Sequence, residues 1–131
     1  MEKTLVLIKP DAVERNIVGE ILTFYEKQNL KITALKMLKA TEDMAHLHYK
    51  IHEDKPFFKD LIAYITRSPL CALILEGDNA IEKVRKINGN TDPSKAEQNT
   101  IRGTFAVSKT ENSVHASDST ETAQKEISIW F

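Results

Sequence analysis

The 131-residue chain is 41% hydrophobic and 28% charged, with eighteen Lys plus Arg against nineteen Asp plus Glu and a formal net charge of −1. That composition supports a real core without a disulfide framework or structural metal, and a single domain over residues 1–131 is expected. The near-neutral balance excludes a whole-molecule field for nucleic acid or anionic membrane, so any anion site must be local. No basic leader precedes an apolar stretch, and the longest apolar run falls far short of the ~20 residues of a membrane span, so the chain reads as soluble and cytoplasmic.

In chain order, Thr4 to Ile8 (TLVLI) reads as a buried strand stopped by Lys9-Pro10-Asp11, which puts Lys9 at a strand end. Val18, Ile21, Leu22 and Tyr25 follow helical spacing up to Asn29, and a second strand is expected near Ile32 to Leu38. Met44, Leu47 and Ile51 recur at helical spacing, after which Asp54 and Pro56 are expected to open a helix bearing Phe57, Phe58, Leu61, Ile62 and Ile65. Ser68-Pro69 breaks that pattern. Leu70 to Leu75 is too apolar for a strand with one wet face, and it holds the lone Cys71, read as a buried thiol. Gly77-Asp78 is expected to cap a helix with Ala80, Ile81, Val84 and Ile87 on its buried side, Arg85 bordering solvent, and Asn88-Gly89 as its stop.

Residues 89–104 (GNTDPSKAEQNTIRGT) are polar and aperiodic, long for an idle loop, so a functional role is expected of them. A fourth strand is placed around Phe105 to Val107. Asp118 with Glu121 three residues on suggests a capping box for the last helix, which ends in SIWF. This order of elements predicts an α+β domain of the split βαβ kind with extra helices.

Neither GxxxxGK[ST] nor GxGxxG occurs, so phosphate binding must come from side chains. The candidates are Lys9 at a strand end, Arg85 beside an apolar stripe, Thr91 in the long loop, Arg102 at its close, and Asn112. His115, in the stretch NSVHASDS, has three chemical readings (nucleophile, general base, metal ligand) and a fourth as a loop residue with no role. His46, His48 and His52 raise a metal possibility, because His48 and His52 lie four apart on one helical face, although no Cys or carboxylate pattern completes the set. Of Phe57 and Phe58, one is expected in the core, while Phe57 with Leu61 can form an apolar wall for a flat base.

Taken together, KPDAV (9–13), HYKIHEDKPFFKDLIAYI (48–65), NAIEKVRKINGNTDP (79–93), TIRGTFA (100–106) and NSVHASDS with its downstream helix make a chain that resembles the nucleoside diphosphate kinases over essentially its whole length. The resemblance implies a ferredoxin-like four-stranded antiparallel sheet (βαββαβ) with additional helices. It implies reversible, ping-pong transfer of the terminal phosphoryl group of a nucleoside triphosphate, typically ATP, to a nucleoside diphosphate through phospho-His115. By the same resemblance Lys9, Arg85 and Arg102 bind phosphate, Thr91 adds a hydroxyl contact, and Tyr49 lies near the phosphates. Phe57 stacks the base, Asn112 contacts the sugar with help from Lys9, and Ser117 and Glu126 neighbour and orient the histidine. Mg2+ is the implied cofactor, held mainly by phosphates and water with no dedicated protein metal site, and the implied assembly is a homo-oligomer, hexamer or tetramer, that requires no nucleic acid.

Three departures from the family pattern stand out. Ala116 replaces a usual glycine and fits only with a negative φ, Gln98-Asn99 replaces Pro-Gly with Asn99 suited to a left-handed loop, and the segment Ser108 to Ser113 looks short. The rival readings are a ferredoxin-like nucleotide- or RNA-binding module without catalysis and a scaffold with a dead site. Near-neutral charge argues against the first, and competent residues at every matched position argue against the second.

Overall fold

The computed structural model describes residues 1–109 and 111–131. Strands β1 (Glu2–Ile8), β2 (Lys31–Leu38), β3 (Leu70–Gly77) and β4 (Val114–Ala116) form one sheet in the order β2-β3-β1-β4, with every neighbouring pair antiparallel. The helices are α1 (Pro10–Glu14), α2 (Val18–Lys27), α3 (Glu42–His48), α4 (Phe58–Thr66), α5 (Ala80–Asn88), α6 (Ile101–Phe105) and α7 (Thr120–Trp130), with 3-10 turns at Lys50–His52 and Pro93–Lys95. This is the ferredoxin-like α+β arrangement expected from the sequence, with extra helices.

The central strands carry continuous apolar runs because both of their faces are covered. Strand parity sorts those residues into two cores. Val6, Ile8, Cys71, Leu73 and Leu75 meet α2 and α5 through Ile21, Tyr25, Ala80 and Val84. Leu5, Leu7, Leu70 and Ala72 meet Ala45 of α3, Ile62 and Ile65 of α4, and Trp130 of α7. Directly opposite residues of an antiparallel pair share a face, and His115 stands opposite Leu7. The edge strand β4 therefore sends His115 to the side where α3 and α7 pack, while Val114 and Ala116 join the other core.

The fourth strand is Val114–Ala116, not Phe105 to Val107. Phe105 instead ends α6, which starts where the Thr100 hydroxyl accepts the Gly103 N–H, and Val107 is exposed. A three-residue edge strand among polar neighbours leaves no alternation for sequence patterning to find. Pro10, read as a turn, sits in the first turn of α1, where a missing N–H does no harm. α4 starts at Phe58 rather than near Pro56, and α7 is capped by Ser119, whose hydroxyl accepts the Thr122 N–H, rather than by Asp118. The left-handed Asn79 precedes α5 without a side-chain cap, and the Glu2 carboxylate accepts the Ile81 N–H in its place. Leu47 and Ile51 share helical spacing with Met44, yet both are exposed, Leu47 on α3 and Ile51 in the 3-10 turn that follows it.

At Gly89 the chain leaves α5 with φ +87, and a Cβ there would overlap the Thr100 side chain. Both the left-handed backbone and the close approach demand glycine. Gly89→Ala is expected to lower unfolding free energy by about 2–3 kcal/mol, from the left-handed penalty plus overpacking. Urea melts check this: the midpoint should fall with an unchanged m-value, and an unchanged midpoint would contradict it.

Candidate active site

His115 lies between β1 and α7, and its Nε2 is 3.0 Å from Glu126 Oε2. The other Glu126 oxygen accepts the Ser117 hydroxyl at 2.6 Å, and Ser117 is itself fully buried with its N–H on the Leu5 carbonyl. Burial alone would push the Glu126 carboxyl up, but the hydrogen bond from His115, the imidazole charges and the Ser117 hydroxyl outweigh it and hold the group below the usual carboxylate range. An ionised carboxylate only accepts, so Nε2 of His115 carries the ring proton. Nδ1 keeps the lone pair, and no hydrogen bond engages it among the described residues.

His48 stands beside this pair, its ring centroid 4.5 Å from that of His115 and its side chain enclosed. The indole N–H of Trp130, which can only donate, reaches His48 Nδ1 at 3.2 Å. The His48 proton is therefore on Nε2. Burial first, and then the neighbouring His115 charge, depress its pKa to about 3, with Glu126 opposing. His48 Nδ1 and Glu126 Oε2, 3.7 Å apart, are thus two acceptors rather than an ion pair. The ligating atoms of His48, His115 and Glu126 lie within 4.8 Å of one another, the one such trio among the described residues. Within the cluster His115 Nε2 bonds Glu126, the other Glu126 oxygen takes the Ser117 hydroxyl, and His48 Nδ1 takes the Trp130 indole, while His115 Nδ1 is left open. The suspected trio His46, His48 and His52 does not form, because His46 packs against Phe58 and His52 against Phe57.

An open cleft of about 1580 Å³ joins these groups to Lys9, Tyr49, Phe57, Arg85, Thr91, Arg102 and Asn112. Every expected site residue lines it except Ser117, which lies behind Glu126. Lys9 continues β1 past its last residue, and its ammonium donates to Asn112 Oδ1 at 2.9 Å. Burial and the Arg102 charge bring its pKa down to about 8, against the pull of Asp11. Both amide N–H donors of Asn112 are used, on the carbonyls of Thr91 and Lys109, so one side chain ties three segments. Arg102 spans the Gly89 and Val114 carbonyls at 2.8 and 2.7 Å, with its Nε–H buried and without a partner among the described residues. Arg85 is exposed on the last turn of α5, and Phe57 is 45% exposed while Phe58 packs inward, the division expected of the pair.

Between Asn112 and His115 the chain makes a tight reversal. The Val114 N–H closes onto the Asn112 carbonyl at 2.9 Å across Ser113, whose φ is +74. This is the γ-turn of positive φ, the rarer and more strained kind, which costs about 1–3 kcal/mol. Ala116 is absent from the positive-φ residues, the condition its replacement of glycine required, and Asn99 is likewise not left-handed, so the loop does without that conformation.

A family model for nucleoside diphosphate kinase matches residues 2–131. The chain belongs to the nucleoside diphosphate kinase family. A nucleoside diphosphate kinase of Clostridium perfringens is 63% identical over the whole chain, which covers 92% of that protein, and one of Saccharolobus islandicus is 47% identical with 95% covered. Among solved structures, the nucleoside diphosphate kinase of Aquifex aeolicus superposes with a TM-score of 0.95 at 41% identity, covering 99% of this chain and 94% of that one. That of Encephalitozoon cuniculi gives 0.98 at 34% identity, covering 100% and 89%. The chain is accordingly an enzyme, a nucleoside diphosphate kinase of nucleotide metabolism, and a non-catalytic RNA-binding sheet is not favoured.

Two residues packed into this cluster carry no sequence signal for it: His48 shares a helical face with His52 but bonds Trp130, and neither His48 nor Trp130 has a spacing that links it to Glu126. The buried neutral His48 makes the fold acid-sensitive. The unfolded chain protonates it below about pH 6.5 and the folded chain only near 3, so stability should fall as pH drops through that window, by up to about 1.4 kcal/mol per unit. Glu126 adds its own loss only below its unfolded value near 4.5. Denaturant titrations from pH 7 to 4.5 should show the slope, and His48→Gln should flatten it; an equal slope in the variant would contradict the assignment.

Proposed function

We propose that the chain moves the terminal phosphoryl group of a nucleoside triphosphate to a nucleoside diphosphate in two half-reactions, with Nδ1 of His115 as the carrier atom. The observation that carries this reading is the Nε2 to Glu126 hydrogen bond, which leaves Nδ1 with an open lone pair in a cleft lined by Lys9, Arg85 and Arg102. In the first half-reaction an N–P bond forms as the bond between the terminal phosphorus and its bridging oxygen breaks, and the nucleoside diphosphate leaves. The second is the same step reversed on another diphosphate. Donor and acceptor are alike, so one pocket serves both in turn.

Lys9, Arg85 and Arg102 offset the charge that grows on the phosphoryl oxygens. Lys9 titrates near 8 in the free protein, and an arriving phosphate favours its charged form. Glu126 stabilises the imidazolium character that His115 gains as Nδ1 bonds to phosphorus, and Ser117 fixes the carboxylate. Thr91 supplies a hydroxyl to phosphate, and Tyr49 closes the wall beside them. Phe57 offers a face to the base, and Asn112, poised by Lys9, sits where the sugar enters. Both Glu126 oxygens are engaged, so the donor set suits a hard cation that arrives with its own ligands. When bound, Mg2+ supplies charge neutralisation across the phosphates, held by them and by water.

We further read the chain as one domain over residues 1–131, acting in the cytoplasm as a homo-oligomer, hexamer or tetramer. Support for assembly comes from the edge strand β2, where Leu35 and Met37 are 47% and 53% exposed beside unpaired backbone. No helix among the described residues is long and apolar enough to cross a membrane.

The test is labelling. Incubation with γ-labelled ATP and magnesium, without acceptor, should leave an acid-labile phosphoryl group on His115, and GDP should discharge it as GTP. His115→Ala should abolish the label. An acid-stable label, or one that survives His115→Ala, would sink the relay.

A further inference from the structure

We infer that Arg15 is a positioning residue for phosphoryl transfer: it clasps the strained Ser113 turn and so sets where His115 stands. This rests on the relay reading above. Arg15, the residue that closes α1, sends one guanidinium nitrogen to the Phe105 carbonyl at 2.7 Å and to the Ser113 hydroxyl at 3.2 Å. One contact falls where α6 ends, three residues beyond Arg102. The other falls where β4 begins, two residues before His115. A single nitrogen thus fixes both ends of the connection between the phosphate-side helix and the nucleophile strand.

The clasp is itself anchored. Arg15 Nε donates to the Asp11 carbonyl, and its terminal nitrogen lies 3.4 Å from the Asp11 carboxylate, which is buried and also accepts the Tyr64 hydroxyl. Asp11 follows Lys9 by two residues, so the same short helix that extends from the Lys9 strand end presents Arg15. The Ser113 carbonyl accepts the Lys9 N–H at 2.8 Å, so Ser113 is gripped from both sides while holding φ +74. A serine in that conformation persists only where its surroundings over-determine it. β4 is three residues long and pairs with β1 alone, so the turn beside it is set by side-chain ties, with Asn112 and Arg102 on its flanks and Arg15 on the Ser113 hydroxyl itself.

Glycine adopts positive φ at no steric cost, which gives a discriminating experiment. Single-turnover phosphorylation of His115 by ATP is measured for wild type, Arg15→Gln, Arg15→Lys, Ser113→Gly and Arg15→Gln/Ser113→Gly, together with nucleotide Kd and Tm. Arg15→Gln should slow phosphorylation at saturating ATP by about tenfold or more, because a displaced reacting group loses rate steeply, while Kd changes little. Arg15→Lys, a cation without the planar fork, should fall between. In the Ser113→Gly background the same Arg15→Gln change should cost less than about threefold, a coupling that the double-mutant cycle reads directly. A wild-type rate in Arg15→Gln, or equal losses in both backgrounds, overturns the inference. Failure of the relay would instead show as wild-type protein that takes no label on His115.

Discussion

The site depends on one carboxylate that stays ionised in a buried place. Glu126 accepts from His115 on one oxygen and from Ser117 on the other, and those donors, with the imidazole charges, outweigh the upward push of burial on its pKa. Its charge in turn dictates the His115 tautomer. Were Glu126 protonated and donating, the lone pair would move to Nε2, inside the packing, and the cleft would face an N–H that attacks nothing. The buried neutral His48, locked by the Trp130 indole, leaves His115 as the sole donor from the imidazole side and adds no positive charge beside it. α7 supplies both Glu126 and Trp130, so one helix docking sets both protonation states.

The cations follow a different logic. Lys9 and Arg102 are held by neutral groups, the Asn112 amide oxygen for the first and the Gly89 and Val114 carbonyls for the second, and not by carboxylates. A carboxylate partner would have cancelled the field that an anionic substrate needs. Carbonyl partners fix the geometry and leave the charge. Burial and the Arg102 charge make Lys9 less basic than a surface lysine. The bidentate carboxylate pairing is elsewhere: Arg67 stacks over Tyr64 and bridges Glu14 and Glu111, and none of those three charged groups lines the cleft.

Much of this was legible in the chain. TLVLI and LCALIL declare central strands by lacking any polar alternation, and the amphipathic stripe around Val84 declares α5 and leaves Arg85 outside. Candidate phosphate-binding side chains could be nominated because they lie where elements end. The fourth strand could not be found, since Val114–Ala116 owes its conformation to pairing with β1 and to the turn at Ser113, both tertiary facts. The same holds for α1 and α6, five residues each, whose apolar content is too small to show a period. Spacing also misassigned His48, because its partner Trp130 is 82 residues away. The resemblance to nucleoside diphosphate kinases nominated His115 and Glu126, and the geometry supplies the reason for their protonation states.

The central claim is that Glu126 forces the reaction onto one particular nitrogen. Protein carrying 15N-labelled histidine, phosphorylated with ATP and magnesium and held at alkaline pH, reports that atom directly through one-bond 15N–31P coupling. The account predicts coupling to Nδ1 of His115, with Nε2 still protonated toward Glu126. Coupling to Nε2 would contradict it.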